Sequence, residues 1–159
     1  MLKWLGLSVA VIVLDQITKL VAVSRLELHV ENVVLPYFNL TLARNTGAAF
    51  SFLSDSGGWQ RWLFTGLALA VSVVIVAWLK RLGPHEKWTA VGLSLILGGA
   101  IGNVIDRVRY GYVVDFLDVY YGSYHWPTFN VADSAITVGA AALIIHSLFA
   151  RKDVHRPAR

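Results

Sequence analysis

Four apolar stretches restrict the fold of this chain more than any other feature of the sequence. They cover about residues 4–23, 62–79, 88–105 and 131–150. A helix needs roughly 20 mostly apolar residues to cross the hydrocarbon core of a bilayer. Only 15% of the 159 residues are charged, whereas soluble domains contain about 25% charged residues. We therefore predict an α-helical membrane protein with four transmembrane helices, folded as one domain over residues 1–159.

The first stretch has an alternative interpretation as a secretory signal peptide, because Lys3 precedes it and small residues follow at 22–24. The core of a signal peptide is an uninterrupted apolar run. Asp15 and Lys19 interrupt this run, which favours a retained helix. Because these two residues are four positions apart, they share a helix face and are expected to form an ion pair.

The third stretch is rich in glycine, which lets helix backbones approach each other closely in lipid. We interpret these glycines as packing positions between helices rather than as part of a binding site. They are Gly92, Gly98, Gly99 and Gly102.

The basic residues between the stretches indicate how the helices are oriented. Cytoplasmic loops of membrane proteins carry an excess of Lys and Arg, and the connection at 80–87 contains Lys80, Arg81 and Lys87. Both termini and this loop are therefore predicted to be cytoplasmic, with outer segments at about 24–61 and 106–130. The same distribution accounts for the net charge of +4 without a nucleic-acid partner.

The outer segments contain patterns that are typical of β-strands. Residues 38–42 alternate between apolar and polar side chains, as a half-buried strand does. Residues 27–35 are its expected partner, and 112–120 have the β-branched and aromatic content of a further strand. The fold class therefore includes a small extracytoplasmic β-sheet and a second outer loop segment.

Two aspartates lie where the apolar sequence meets the outer membrane surface. Asp115 occurs in VVDF at 113–116, and Asp133 occurs in FNVADS at 129–134. A carboxylate is costly in this position, which points to a functional role. Two converging carboxyl groups can share one proton and activate a water molecule for hydrolysis. Asp118 competes with Asp115 as a candidate, and the sequence does not indicate which acid would hold the proton.

Further polar residues are candidates for orienting such a pair of acids. Asparagine can donate and accept hydrogen bonds, and arginine offers a planar fork of donors. The candidates are Asn45, Asn103, Arg107 and Asn130. Structural alternatives remain open, because Asn45 could simply form a turn and Arg107 could pair with Asp106. Cysteine is absent and the five histidines are scattered, so no metal-ligand spacing is recognisable.

Two other classes of function remain open at this point. A proton-coupled transporter or channel subunit could use Asp15, Lys19 and Asp133 as a proton relay. A membrane scaffold without enzymatic activity could use the same polar residues only to hold its helices together.

Five motifs occur in order along the chain: DQITK at 15–19, NTGAAFS at 45–51, GGAIGNVIDR at 98–107, VVDF at 113–116 and FNVADS at 129–134. Together they closely resemble bacterial lipoprotein signal peptidase, the type II signal peptidase. The resemblance runs from the first apolar stretch through the last.

The resemblance implies an aspartyl endopeptidase of the bacterial cytoplasmic (inner) membrane. Such an enzyme cuts the signal peptide from a prolipoprotein just before a diacylglyceryl-modified cysteine, in contact with membrane lipid. Globomycin is an inhibitor of the family, no metal or organic cofactor is implied, and we expect a monomer. By the same resemblance, Asp115 and Asp133 form the catalytic pair. The implied supporting residues are Asn45, Asn103, Arg107, Asn130 and Asp15.

Overall fold

A computed structural model of the chain describes residues 1–47 and 58–153. The helices are α1 (Leu5–Arg25), α2 (Gln60–Arg81), α3 (Lys87–Tyr110) and α4 (Val131–Asp153), and a short 3-10 turn precedes α1. All four are long and apolar enough to cross a membrane, which confirms the predicted fold class of four transmembrane helices. Motif positions 48–51 and the C-terminal tail from residue 154 lie outside the described residues.

Helix α3 is the central helix of the bundle. It packs against α1, α2 and α4, and 67% of its most apolar window is buried, compared with 28% or less for the other three helices. The others turn much of their apolar surface outward, as expected for helices that are surrounded by lipid. The candidate residues Asn103 and Arg107 therefore lie on the helix that lipid contacts least.

Close packing of α3 depends on its glycines, as predicted. A Cβ atom on any of the four would come closer than 3.0 Å to an atom of α1 or α4. On Gly98 it would lie 2.7 Å from the Cβ atom of Val11 in α1, and on Gly99 it would collide with the backbone oxygen of Ala132 in α4. These glycines allow three helix backbones to meet at the level of the polar residues.

Helix α3 extends further than the sequence indicated. The predicted span ended near residue 105, but the helix continues to Tyr110 and ends at Gly111, which has a left-handed φ of 87°. Asp106 and Arg107 therefore belong to the helix. Hydropathy did not indicate this extension because it treats charged residues as exposed, whereas Asp106 is only 1% exposed.

The strands form one antiparallel sheet, which confirms the predicted small sheet. Its strands are β1 (Glu31–Leu35), β2 (Phe38–Asn45), β3 (Val113–Tyr121) and β4 (Tyr124–His125), and they are adjacent in that order. An apolar cluster attaches the sheet to the C-terminal end of α1. It consists of Ala22, Leu42, Val114 and Phe116.

The chain between β4 and α4 is tied to β3 at Phe129. The N–H of Leu117 donates to the oxygen of Phe129 at 2.8 Å, and the N–H of Phe129 donates to the oxygen of Leu117 at 3.0 Å. The start of α4 is thereby held beside the strand that carries Asp115.

Candidate active site

Asp115 and Asp133 line the same cleft, which has a volume of about 800 Å³. Asp115 comes from β3 and Asp133 from the first turn of α4. Asn45, Asn103 and Arg107 line the cleft as well. The structure therefore brings together two acids that are far apart in the sequence, along with most of the predicted supporting residues.

Two asparagines connect the two carboxyl groups. The Asn130 Nδ2 donates to Asp115 Oδ1 at 2.7 Å and to Asn103 Oδ1 at 3.1 Å. The Asn103 Nδ2 in turn donates to Asp133 Oδ1 at 2.8 Å. A continuous hydrogen-bonded path therefore runs from Asp115 through Asn130 and Asn103 to Asp133, and it fixes both carboxyl groups relative to each other.

Asn130 occupies the position that begins α4. Its Oδ1 accepts the backbone N–H of Asp133 at 2.8 Å, which is how asparagine caps the free N–H groups of a helix start. The residue is fully buried, and its Nδ2 also donates to the oxygen of Val114 at 3.2 Å. One side chain thus starts the helix that carries Asp133 and contacts the other acid.

Asn45 has both of the roles that the sequence left open. Its Oδ1 accepts the N–H of Gly47 at 3.0 Å, as in a turn, while its Nδ2 donates to Asp115 Oδ2 at 3.1 Å. Arg107 donates to the oxygen of Gly47 at 3.2 Å, so it holds the end of the same turn. Both carboxylate oxygens of Asp115 therefore accept an amide hydrogen bond.

A buried ion cluster lies directly behind the cleft. The predicted pair is present, with Lys19 Nζ 2.9 Å from Asp15 Oδ2, but Lys19 is also 2.9 Å from Asp106 Oδ2. Asp106 therefore pairs with Lys19, and the alternative pairing of Asp106 with Arg107 is wrong. Asp15 also caps α4 through its Oδ1, which accepts the N–H of Ala132 at 2.9 Å.

Sequence reasoning missed the contribution of Asp106 and Gln16 to this cluster. Gln16 Nε2 donates to Asp106 Oδ1 at 2.9 Å and is 3.3 Å from Asp15 Oδ2. The contact with Asp106 joins α1 to α3 across a large sequence separation. A signal was nevertheless present, because Asn103 and Asp106 are three positions apart and share a helix face.

Asp118 lies on the opposite face of the sheet from Asp115. Side chains alternate along a strand, so residues three positions apart point to opposite sides. Asp118 accepts a hydrogen bond from Thr41 Oγ1 at 3.2 Å, and its Oδ1 is 3.0 Å from His125 Nδ1. It is not among the residues that line the cleft, so the competing pair of Asp118 with Asp133 is not formed.

The described residues contain one group of potential metal ligands, and it lies on the face of Asp118. It comprises Glu31, Asp118 and His125. The imidazole of His125 already contacts Asp118 at 3.0 Å and is 4.0 Å from Glu31. In the cleft itself, the acids are held by amide groups, an arrangement that suits proton transfer by carboxyl groups.

The surroundings of Asp115 raise its pKa to about 7. Burial is the main cause, because it disfavours the charged carboxylate, and the nearby charge of Asp133 adds to the effect. Hydrogen bonds from Asn45 and Asn130 and the charge of Lys19 act in the opposite direction but more weakly. Asp115 is therefore able to hold a proton near neutral pH.

Known proteins resemble this chain over most of its length. A family model described as signal peptidase (SPase) II matches residues 7–149. A lipoprotein signal peptidase of Pseudomonas putida is 56% identical over 153 residues, which are 95% of this chain and 90% of the relative. That of Vibrio cholerae is 49% identical with the same coverage. That of Burkholderia mallei is 53% identical over 145 residues, 91% of this chain and 87% of the relative.

Two solved structures, both described as bacterial membrane enzymes, have a similar fold. One has a TM-score of 0.86 at 30% identity and covers 100% of this chain and 94% of its own. The other has a TM-score of 0.80 at 32% identity, with 93% and 94% covered. The helices and the sheet described above therefore form an arrangement that is found in bacterial membrane enzymes.

Proposed function

Since this chain belongs to the signal peptidase II family of aspartic peptidases, we propose that it cleaves lipid-modified prolipoproteins with Asp115 and Asp133. The cut falls just before the diacylglyceryl-modified cysteine and releases the signal peptide. The hydrogen-bonded path between the two carboxyl groups is the observation that carries this proposal. Globomycin-type inhibitors occupy the same cleft, and the protein works without a metal or organic cofactor.

The position of the cleft suits a substrate that stays in the bilayer. Its lining continues from the acids onto apolar residues of α4, among them Ile136 and Val138, and Val138 is exposed where lipid surrounds the helix. A signal helix and the attached lipid enter sideways along this surface. Lateral entry avoids extraction of the acyl chains, which contribute about 0.8 kcal/mol for each buried CH₂ group.

The first step of the reaction adds water to the scissile carbonyl. Asp133 is the ionised base, because its place in the first turn of α4 lets the partial positive charge of the helix start stabilise it. It takes a proton from the water, whose oxygen bonds to the carbonyl carbon. Asp115 gives its proton to the carbonyl oxygen. The product is a neutral tetrahedral diol, with the proton now on Asp133.

The second step breaks the carbon–nitrogen bond. Asp133 transfers its proton to the nitrogen, which leaves as the amine of the lipid-modified cysteine. One hydroxyl of the diol returns a proton to Asp115 as the new carboxyl group forms. Both aspartates thereby regain their starting states, so that a single shared proton is sufficient for repeated turnover.

The pKa of Asp115 predicts how cleavage depends on pH. Because Asp115 acts as the acid, kcat/KM should fall as pH rises through about 7, approaching about tenfold per pH unit. At lower pH, protonation of the second carboxyl group should form the other limb of a bell-shaped profile. Initial rates of purified enzyme on a lipid-modified substrate measure this profile. A rate that stays constant between pH 6 and pH 9 would contradict the assignment of Asp115 as the acid.

We propose that the protein lies in the bacterial cytoplasmic membrane with both termini on the cytoplasmic side. The support is charge, since Lys80 and Arg81 end α2 and Lys87 begins α3. Alkaline phosphatase is active only outside the cytoplasm. Its fusion at residue 85 or at the C-terminus should therefore be inactive, whereas fusion at residue 123, between β3 and β4, should be active. The reverse pattern would overturn this orientation.

The transporter and scaffold alternatives do not agree with membership in a peptidase family. The transporter alternative also required a relay through Asp15, Lys19 and Asp133. Lys19 instead joins Asp15 to Asp106 in an ion cluster behind the cleft. A scaffold would need no acid pair for its function, so Asp115→Asn and Asp133→Asn would leave that function unchanged.

A further inference from the structure

Lys19 is a lysine within a transmembrane helix whose side chain is only 4% exposed. Its Nζ lies 2.9 Å from Asp15 Oδ2, from Asp106 Oδ2 and from Asn103 Oδ1. These contacts use all three donors of the ammonium group. A buried ion pair is weak evidence for a purely stabilising role, because desolvation of the charges offsets much of their attraction. The contact with Asn103 points towards the cleft instead.

We propose that Lys19 is a positioning residue for the cleavage reaction, which holds Asn103 against Asp133 and sets the charge around the acid pair. The inference rests on the proposed function, since it assigns Lys19 a task only if Asp115 and Asp133 perform the chemistry. Lys19 itself does not contact the substrate.

The positional part follows from the hydrogen bonds of Asn103. Its Oδ1 accepts from both Lys19 Nζ at 2.9 Å and Asn130 Nδ2 at 3.1 Å. With the oxygen occupied in this way, the amide must direct its Nδ2 towards Asp133, which it contacts at 2.8 Å. Removal of Lys19 takes away the charged donor, which forms the stronger kind of hydrogen bond, and leaves the Asn103 oxygen held only by Asn130.

The electrostatic part follows from the groups that surround the cluster. Asp15 lies on α1, Asp106 and Arg107 lie on α3, Asp115 lies on β3 and Asp133 lies on α4. With one proton on the acid pair, the four carboxyl groups carry −3 in total, while Lys19 and Arg107 carry +2, which leaves −1. Without Lys19 the net charge becomes −2. A more negative surrounding holds protons more tightly, in agreement with the lowering effect of Lys19 on the pKa of Asp115.

The test compares Lys19→Met, which removes the charge at similar length, with Lys19→Arg, which keeps it. Both are assayed for cleavage of a lipid-modified prolipoprotein peptide from pH 5 to pH 9. Lys19→Met should lower kcat by about tenfold or more with little change in KM, and should move both limbs of the profile upward by about 0.5 to 1 pH unit. Lys19→Arg should keep the pH profile of the parent enzyme. Leu20→Met is the matched control, because Leu20 is 52% exposed on the same helix.

A folded Lys19→Met enzyme with the parent profile would overturn the proposal, whatever its rate, since a purely structural role lowers the rate without moving the limbs. If Lys19→Met does not fold, the double variant Lys19→Met/Asp106→Asn removes one charge of each sign. This enzyme should keep the pH profile of the parent enzyme, but its kcat should be at least about tenfold lower. A kcat equal to that of the parent would also refute the proposal. Retained cleavage by Asp115→Asn or Asp133→Asn would instead defeat the proposed function, independently of Lys19.

Discussion

Asp115→Asn and Asp133→Asn are each expected to lower kcat for prolipoprotein cleavage by at least about 10⁴-fold. An asparagine has nearly the shape of an aspartate but cannot exchange a proton near neutral pH. Without the Asp133 carboxylate the water is not activated, and without the Asp115 proton the carbonyl oxygen is not protonated. Neither change removes volume. Each new amide keeps one oxygen, which can accept from Asn103 at position 133 and from Asn130 at position 115, where only the partly buried Asn45 donor loses its acceptor. We therefore expect both proteins to insert and fold.

The measurement is the cleavage of a purified, lipid-modified prolipoprotein, with the released signal peptide quantified by mass spectrometry. Asp118→Asn is the matched control, because it makes the same change at a buried acid of the same strand on the opposite face of the sheet. Its activity should stay within about threefold of the parent enzyme, as for a change away from the reacting atoms. Near-parental turnover by either cleft variant would rule out the acid pair.

Asn130→Ala is expected to reduce both catalysis and stability. The alanine removes the donor to Asp115, the link to Asn103 and the cap on the N–H of Asp133. Loss of a helix cap costs about 0.5–2 kcal/mol in the free energy of unfolding. Because both carboxyl groups lose their fixed positions, we expect kcat to fall by about 10²- to 10³-fold, as when a preorganised donor is removed from an active site.

Asn130→Asp separates these two effects. Aspartate caps a helix start as well as asparagine does, so much of the stability should return. Its carboxylate cannot donate to Asp115 and adds a negative charge beside it, so the activity should stay low. Thermal unfolding in detergent and steady-state rates give the two readouts. Asn32→Ala is the control, since Asn32 is exposed on β1. Asn130→Ala with parental kcat would show that the bridge does not position the acids.

Local patterns were sufficient to predict much of this fold. The four spans follow from hydropathy, because every backbone hydrogen bond must be made within a helix where water is absent. The strand around residue 40 follows from its alternation, and the acids could be selected because a carboxylate at a membrane edge is costly. In each case the physical cause acts within a short stretch of sequence.

The contacts behind the cleft could not be predicted in the same way. Asp106 looked like an outer-segment residue because its charge suggests exposure, whereas its burial depends on Lys19 from another helix. The bridging role of Asn130 depends on Phe129, which fixes the start of α4 against β3. Asp118 is different, since strand alternation alone places it opposite Asp115. That pattern excludes a pair of Asp115 with Asp118, whereas the choice of the face that meets Asp133 depends on the tertiary structure.

Several polar side chains contribute both to the fold and to the active site, and this limits how the protein can acquire resistance to an antibiotic that binds in the cleft. Asp15 and Asn130 each fasten the beginning of α4 while they hold other members of the polar cluster. A mutation that weakened drug contacts there would also loosen the fold and slow the enzyme. Escape mutations should therefore accumulate among apolar positions such as Ile136 and Val138, where a change of shape disturbs no hydrogen bond.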